Sequence, residues 1–488
     1  MGYEQQDGSM SRRGFLVAAG TLASAALVAG TACAPQDAGS QGGGEGSVAT
    51  AGLPDVWDFS CDILVIGGGG GGTVAAAKAS ELGAEVILLE KADALGGDTA
   101  LSSQAAQGLW QERMDAGDSI DLYIEDMKES HWATEKGQMG VELPADFPLT
   151  RAWLENCSAM YNWAEEHGMA WVDVTTEHEA WYPQPQWDTK TTRQWAPGGG
   201  SLMAILAPYA DEVGVDVRTG TSALRLITDG EGRVVGAYAF DADDELIAIK
   251  ARKAVILACG GFNANRGMMS RYLPVQGTGF CGGCDGNTGD GHRMAKAIGA
   301  KLVDMRLGTH WMVYDDVSST TMYNGAVMAY GGNAALTDAA DYPFILVNMD
   351  GERFMAETMG YKWVGYETNA QPYHLNHIVF DSGEASTAWF EKAAARDGGP
   401  EALRVYREAS LDDLAAAMQV PVASLTATVE RYNGFVESGK DEDFDRSMRK
   451  VAKLEVAPFC AIRMRPRHYT TYGGVSIDST SRVLDEAG

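Results

Sequence analysis

An α/β fold that opens on a parallel βαβ unit is predicted by three features of the sequence. Ile63, Leu64, Val65 and Ile66 form a short apolar run, the composition of a buried strand. Six glycines, Gly67 to Gly72, follow without a break and lead into an Ala-rich helical pattern that stops at Gly83. A second apolar run, Val86 to Leu89, ends in Glu90. Within the turn, Gly67, Gly69 and Gly72 have the spacing G-x-G-x-x-G, in which side-chain-free backbone can touch a pyrophosphate at a helix N-terminus. Glu90, about twenty residues on, stands where an acid accepts hydrogen bonds from an adenosine ribose. Six consecutive glycines satisfy many patterns by accident. The flanking strands, the helix and the terminal acid are what favour a dinucleotide site over a purely structural turn.

A chain of 488 residues allows two or three domains, and 45% hydrophobic with 22% charged residues is a globular composition. The net charge of −29 argues against nucleic acid and against an anionic membrane surface as partners. Near the start, Ser11-Arg12-Arg13-Gly14-Phe15-Leu16 precedes an apolar run, Val17 to Ala29, that is short for a membrane span. Paired arginines before a modest hydrophobic stretch have the form of a twin-arginine export signal, assigned to residues 1–33. Cys33 after Gly30-Thr31-Ala32 is close to a lipoprotein cleavage box with Gly where Leu is usual, so lipid anchoring and plain export to a periplasmic or extracytoplasmic space both stay open. Residues 34–56 are rich in Gly, Ser and Ala and read as a flexible linker.

After the second strand comes a small-residue, hydroxyl-rich loop, Ala94 to Gly108, whose backbone amides can wrap a flat cofactor. Gly97, Asp98, Thr99, Ser102 and Ser103 are its candidate contacts, with Lys91 just before it. The run GGDTALSSQAAQG with the preceding LLEK resembles the FAD-binding flavoproteins of the fumarate reductase and succinate dehydrogenase group, which also holds flavocytochrome c, urocanate reductase and 3-ketosteroid dehydrogenases. Further blocks carry the same resemblance: Ala254 to Phe262 with Gly260-Gly261, Thr288-Gly289-Asp290-Gly291, and Asn348 to Glu357, which matches N-x-x-G-x-R-F-x-x-E. The resemblance implies a Rossmann-like FAD-binding domain interrupted by a smaller α+β capping domain: residues 57–308 and 465–488 for the first and 309–464 for the cap.

Each block also has a physical reading. Gly260 and Gly261 leave an apolar run, which favours close approach to the isoalloxazine over a simple strand exit. Asp290 can cap a helix and stand beside a pyrophosphate or ribityl chain at once. Arg353 is architectural in the family and is not assigned to catalysis. Cys281-Gly282-Gly283-Cys284 lacks the His of a haem attachment site and has no second pair to complete a zinc site, so it reads as two thiols or one local disulfide. His374 and His377 read as structural or surface groups, with no metal expected. The loop Trp181 to Trp187, with two prolines and no period, offers aromatics for a planar substrate, and Asp441 to Lys453 reads as a solvated surface.

The resemblance implies hydride transfer from flavin N5 to an electron-poor C=C bond of a small organic acceptor. Negative charge then builds on the neighbouring group, which needs fixed donors and a proton. His468, in Pro466 to Gly474, which is similar to the family's P-x-x-H-x-x-x-G-G block, is the implied substrate-binding residue. His310 follows Asp304-Met305 one residue short of the family spacing. Where fumarate reductases place a proton-donating Arg, this chain has Tyr361, with Lys362 next, and Thr337 and Ala340 replace the relay acid and Arg. Fumarate is therefore not the expected substrate. Residues 92 to 110 contain no His, so FAD is expected to be noncovalent. Without a haem motif, electrons are expected from a separate membrane quinol or cytochrome-type donor. After Asp478 the family continues with a strand, a loop and a second substrate-binding Arg, so the chain reads as part of a longer enzyme or as an inactive truncated flavin-binding remnant. A dehydrogenase of the 3-ketosteroid type is the other alternative.

Overall fold

β1 (Phe59–Ile66), α1 (Gly70–Glu81) and β2 (Val86–Leu89) form the crossover unit. The computed structural model describes residues 53–488 apart from 103–104, 108, 110–113, 116, 118, 130–145, 170, 174–191, 196–198, 275–279, 307, 315–342, 358–366, 396–403, 447 and 449–450. α2 (Gly97–Leu101) follows, then β3 (Ala105–Gln107), α3 (Ile120–Glu129), α4 (Phe147–Glu166), β4 (Trp171–Asp173) and β5 (Thr192–Trp195), the three strands making a small antiparallel sheet. α5 (Gly199–Glu212), β6 (Asp216–Arg218), β7 (Ser222–Thr228), β8 (Val234–Phe240) and β9 (Leu246–Leu257) complete a six-stranded sheet of order β6-β2-β1-β9-β8-β7. β6, β2, β1 and β9 are parallel; β7 and β8 are antiparallel. β6 takes the parallel edge beside β2, and β7, β8 and β9 form an antiparallel meander.

β1 reads as an unbroken apolar run because both faces are covered. Val65 packs with Ala76 and Ala79 of α1 and with Ala210 and Val215, while Leu64 and Ile66 pack on the other side with Ile249 and Met294. That two-sided burial fixes the end of β1 and so the place of the glycine turn.

α6 (Arg266–Tyr272), β10 (Phe280–Cys281), α7 (Asp290–Ala297), β11 (Leu302–Val303) and β12 (Gly308–Tyr314) lead into the second layer. It comprises β13 (Phe344–Asn348), β14 (Asn376–Phe380), α8 (Glu384–Ala395), β15 (Tyr406–Glu408), α9 (Leu411–Met418), α10 (Val422–Ser438) and β16 (Phe459–Thr471); β17 (Gly474–Val475) then pairs with β11. β16 is the axis: β10, β12, β14 and β15 all pair with it. The division drawn at 464/465 falls inside this strand, which runs on without a break. Ile345, Val347 and Val379 pack beneath Leu414, Leu425 and Tyr432 of α9 and α10.

The N-x-x-G-x-R-F-x-x-E block supplies a buried ion network in this layer. Arg353 donates to both oxygens of Glu357 at 2.8 and 2.7 Å, and Arg446 Nη1 donates to Glu357 Oε2 at 2.7 Å. Arg353 also pairs with Asp441 at 2.7 Å. Asp441 and Arg446 are 2% and 3% exposed, which corrects the solvated-surface reading for these two residues, while Glu442, Asp443 and Asp445 between them are exposed. The burial of Asp441 and Arg446 is set by a carboxylate far back in the chain, which charge density alone does not reveal. Burial works against ionisation of Glu357, but Arg446 and Arg353 outweigh it and hold the carboxyl below its usual value. Glu357→Ala removes the buried carboxylate shared by two guanidiniums, leaving Arg353 with Asp441 alone. It is expected to lower the stability of this layer by about 3–5 kcal/mol in urea unfolding; a loss under about 1 kcal/mol would contradict that account.

Candidate active site

The glycines of the turn answer to separate constraints. Gly67 has φ +110°, and a Cβ there would lie 2.3 Å from Ala258 O of the β9 exit. A Cβ on Gly72 would lie 1.9 Å from Gly67 O, so helix and turn approach too closely for any side chain. At Gly69 the nearest protein atom to a Cβ is Gly96 O at 3.8 Å, leaving its side open to the cleft. Tight turn, open backbone and close packing are the separate duties of these positions in a pyrophosphate cradle. Glu90 holds the turn: Oε2 accepts from Gly68 N at 2.7 Å and Oε1 from Ala92 N at 2.8 Å. Each oxygen keeps a second lone pair for a ribose hydroxyl.

The cleft beside this turn has about 850 Å³ of empty space, counting its open mouth. Gly67, Gly69, Glu90, Lys91, Gly97, Asp98, Thr99, Gly260 and Asp290, from five separate stretches of sequence, line it. Thr99 Oγ1 accepts from Gly70 N at 3.1 Å, tying α2 to the start of α1. Lys91 is engaged within the protein: Nζ donates to Asp290 Oδ2 at 2.6 Å and to Thr288 Oγ1 at 2.7 Å. Burial opposes ionisation of Asp290, yet Lys91, Thr288 and Arg293 outweigh it and hold the carboxyl below its usual value. Gly72 and Ser102 do not line the cleft; Ser102 caps α2 and its carbonyl accepts from Gly199 N at 2.6 Å. Ser103 lies outside the described residues.

Gly260 and Gly261 turn out to be crowded by protein. A Cβ on Gly260 (φ +67°) would lie 2.5 Å from Asn287 Oδ1, and one on Gly261 2.5 Å from Thr471 Oγ1. Only Gly260 lines the cleft, so the close approach at Gly261 is to β16.

The Cys281-Gly-Gly-Cys284 loop, left without a role by the sequence, forms a wall of the cleft. Its cysteines are free thiols. Asp98 Oδ1 accepts from Cys284 N at 2.6 Å and Oδ2 from Asn287 Nδ2 at 2.5 Å, while Gly283 is hemmed in by Tyr469 O and Asn263. Burial pushes the Asp98 carboxyl above its usual value against these two donors. Asn263, 4% exposed, keeps an unpartnered Oδ1 in the same wall. The open glycine cradle and the ribose-ready acid fit a bound dinucleotide cofactor.

The two histidines expected to handle substrate lie on the second sheet. His468 is 1% exposed on β16, and burial holds its imidazole down at about 4, so it is neutral near pH 7. Counted from Pro466, the histidine position of P-x-x-H-x-x-x-G-G falls on Tyr469, with Gly473-Gly474 in register; His468 stands one place early. The β12–β16 pairing shifts register here, Thr309 pairing with Thr470 and His310 with His468, so Tyr469 is the extra residue of a bulge, and its phenol lies within electrostatic reach of Arg467 and Cys281. The backbone of His310 is paired with that of His468 across β12 and β16. Tyr361, Lys362, Thr337, Ala340 and the loop Trp181 to Trp187 lie outside the described residues. A residue the sequence passed over is His292 in the Thr288-Gly-Asp-Gly block: buried in α7, its Nε2 meets Gly473 O at 3.1 Å and anchors the Gly-Gly return.

Among the described residues, no group of His, Cys, Asp and Glu could hold a metal ion. His377 is fully buried on β14, where burial and nearby Arg463 depress its pKa to about 3, and His374 Nδ1 meets Asn369 O at 2.6 Å. An unfolded histidine takes its proton near pH 6.5, whereas folded His468 and His377 stay neutral to about 4 and about 3. Between those limits the unfolded chain binds more protons, so stability falls as pH drops from 6.5 toward 4. The urea midpoint is expected to fall across that window, and less so in His377→Gln. A midpoint flat from pH 6.5 to 4 would refute the assignment.

A family model described as "FAD binding domain" matches residues 62–488. NADH:fumarate oxidoreductase of Klebsiella pneumoniae is 29% identical over 440 residues, covering 90% of this chain and 44% of that protein. Urocanate reductase of Eggerthella lenta is 28% identical over 437 residues, covering 87% and 67%. The open conformation of a flavocytochrome c3 fumarate reductase matches with a TM-score of 0.68 at 26% identity, covering 88% of this chain and 71% of that one. A 3-ketosteroid dehydrogenase from Rhodococcus jostii shares the fold with a TM-score of 0.66 at 23% identity, covering 89% of each chain. This chain therefore spans less than half the length of the first of these relatives.

Proposed function

Because the chain belongs to the FAD binding domain family, we propose that it is an exported oxidoreductase with noncovalently bound FAD that reduces an activated C=C bond of a small enoate, enone or aromatic substrate. The carrying observation is the convergence of Gly67 to Gly71, Glu90, Gly97 to Thr99 and the Cys284 to Asn287 loop on one cleft. Bound FAD supplies two-electron hydride chemistry there. Gly69 leaves room for the pyrophosphate, Glu90 accepts from the ribose, and the Asp98 wall bounds the part of the cleft toward β16. Tyr469 holds the withdrawing group of the substrate, His292 keeps Gly473-Gly474 in place, and Tyr361 delivers the proton. Electrons come from a separate membrane quinol or cytochrome-type donor, and residues 1–33 direct export.

The test is anaerobic: FAD-loaded protein with reduced viologen is offered enoates, enones and hydroxycinnamates, and in parallel saturated ketones with a quinone acceptor. Viologen oxidation dependent on an unsaturated acceptor is expected. Turnover only with the quinone would favour the 3-ketosteroid dehydrogenase direction, which Tyr469 in place of the pattern's histidine also suits. A protein that stays colourless with added FAD would be a non-catalytic remnant.

A further inference from the structure

β16 carries Arg463, Arg465 and Arg467 at alternate positions, so all three share one face of the second sheet in a chain whose net charge is −29. Arg467, at the end nearest the cofactor cleft, is 8% exposed. Its Nε donates to Cys281 O at 3.1 Å, while Nη1 is buried without a hydrogen-bond partner, and no carboxylate pairs with it among the described residues. Gly282 makes room for it: a Cβ there would lie 2.8 Å from Nε and 2.9 Å from Cδ and Cγ. The same loop reaches the cleft wall two residues later at Cys284. A buried guanidinium with no carboxylate in ion-pair contact is costly to keep unless something anionic joins it.

Resting on the reductase reading above, we infer that Arg467 is the specificity-determining residue for substrate charge and holds the carboxylate of a monoanionic unsaturated acid beside the cleft. Tyr469, whose phenol lies within electrostatic reach of Arg467, is then next to the withdrawing end of that acid. Arginine suits the task because its planar fork offers paired donors to a carboxylate. Cys281 adjoins the guanidinium, with Asp98 and Asp285 acting on that cysteine only from a distance, so selectivity comes from the positive charge fixed at this end of the strand.

The experiment uses FAD-loaded full-length chain and compares cinnamate with its neutral analogue cinnamamide, following perturbation of the flavin spectrum at equilibrium. Cinnamate is expected to bind more tightly, with an affinity that weakens as salt is added. Arg467→Met is expected to weaken cinnamate about 10- to 100-fold, the effect of losing a charge-assisted hydrogen bond, and to leave cinnamamide unchanged. Arg467→Lys should recover part of the difference. Equal binding of acid and amide by the parent, binding of neither, or an Arg467→Met protein that still prefers the acid would each overturn the inference and leave the reductase reading standing. The parent comparison needs no variant to fold. A parent that takes up no flavin overturns both together.

Discussion

Gly69→Val is expected to yield a folded protein that takes up no FAD. A Cβ at this position meets nothing in the protein closer than Gly96 O at 3.8 Å, and the backbone, φ −71° and ψ 178°, is open to any residue. The β-branched side chain would instead fill the space through which the pyrophosphate reaches the amides of α1. Thermal unfolding of the flavin-free variant should match that of the flavin-free parent, while its flavin absorbance after desalting should vanish. Gly72→Ala provides the contrast: its Cβ would lie 1.9 Å from Gly67 O, so that variant should lose stability before binding is asked about. A Gly69→Val protein with a full complement of FAD would remove the glycine turn from the cofactor site.

Tyr361→Phe is expected to lower turnover by about 100- to 10,000-fold with little change in substrate affinity, the effect of deleting a general acid while keeping ring and packing. Tyr469→Phe should behave differently. Its hydroxyl is proposed to hold the withdrawing group before and during charge development, so KM should rise and kcat should fall together. Burial pushes the Tyr469 phenol above its ordinary value, keeping it a neutral hydrogen-bond donor at working pH. Steady-state kinetics on both variants separate the roles. Should Tyr361→Phe turn over within a few-fold of the parent while Tyr469→Phe is dead, the acid is Tyr469, and the position inferred from the fumarate reductase pattern is wrong.

The first crossover, its glycine turn and Glu90 were legible in the sequence because each depends on neighbours within about thirty residues. A buried parallel strand must be apolar throughout, a turn against a phosphate must lack side chains, and an acid at the next strand's end falls at a set distance. α9 and α10 depend on local pattern in the same way, burying Leu414, Ala415 and Met418, and Leu425, Val429 and Tyr432, at helical spacing. Where meaning depended on a partner far along the chain, the sequence alone was silent or misleading. Nothing near Arg446 announces that Glu357 will bury it. Nothing near Cys281 to Cys284 shows that Asp98 will accept from Cys284 N and fold that loop into the cleft wall. Lys91 looked available for a cofactor until Asp290 came within 2.6 Å. The extra residue in β16 at Tyr469 was likewise invisible, because a bulge is set by the register of the neighbouring strand β12. Local pattern thus determined the dinucleotide cradle, while the long-range pairing of β16 with β10, β12 and β14 decided which polar side chains lie buried beside it, because desolvation and ion pairing act through space and leave no periodic trace along the chain.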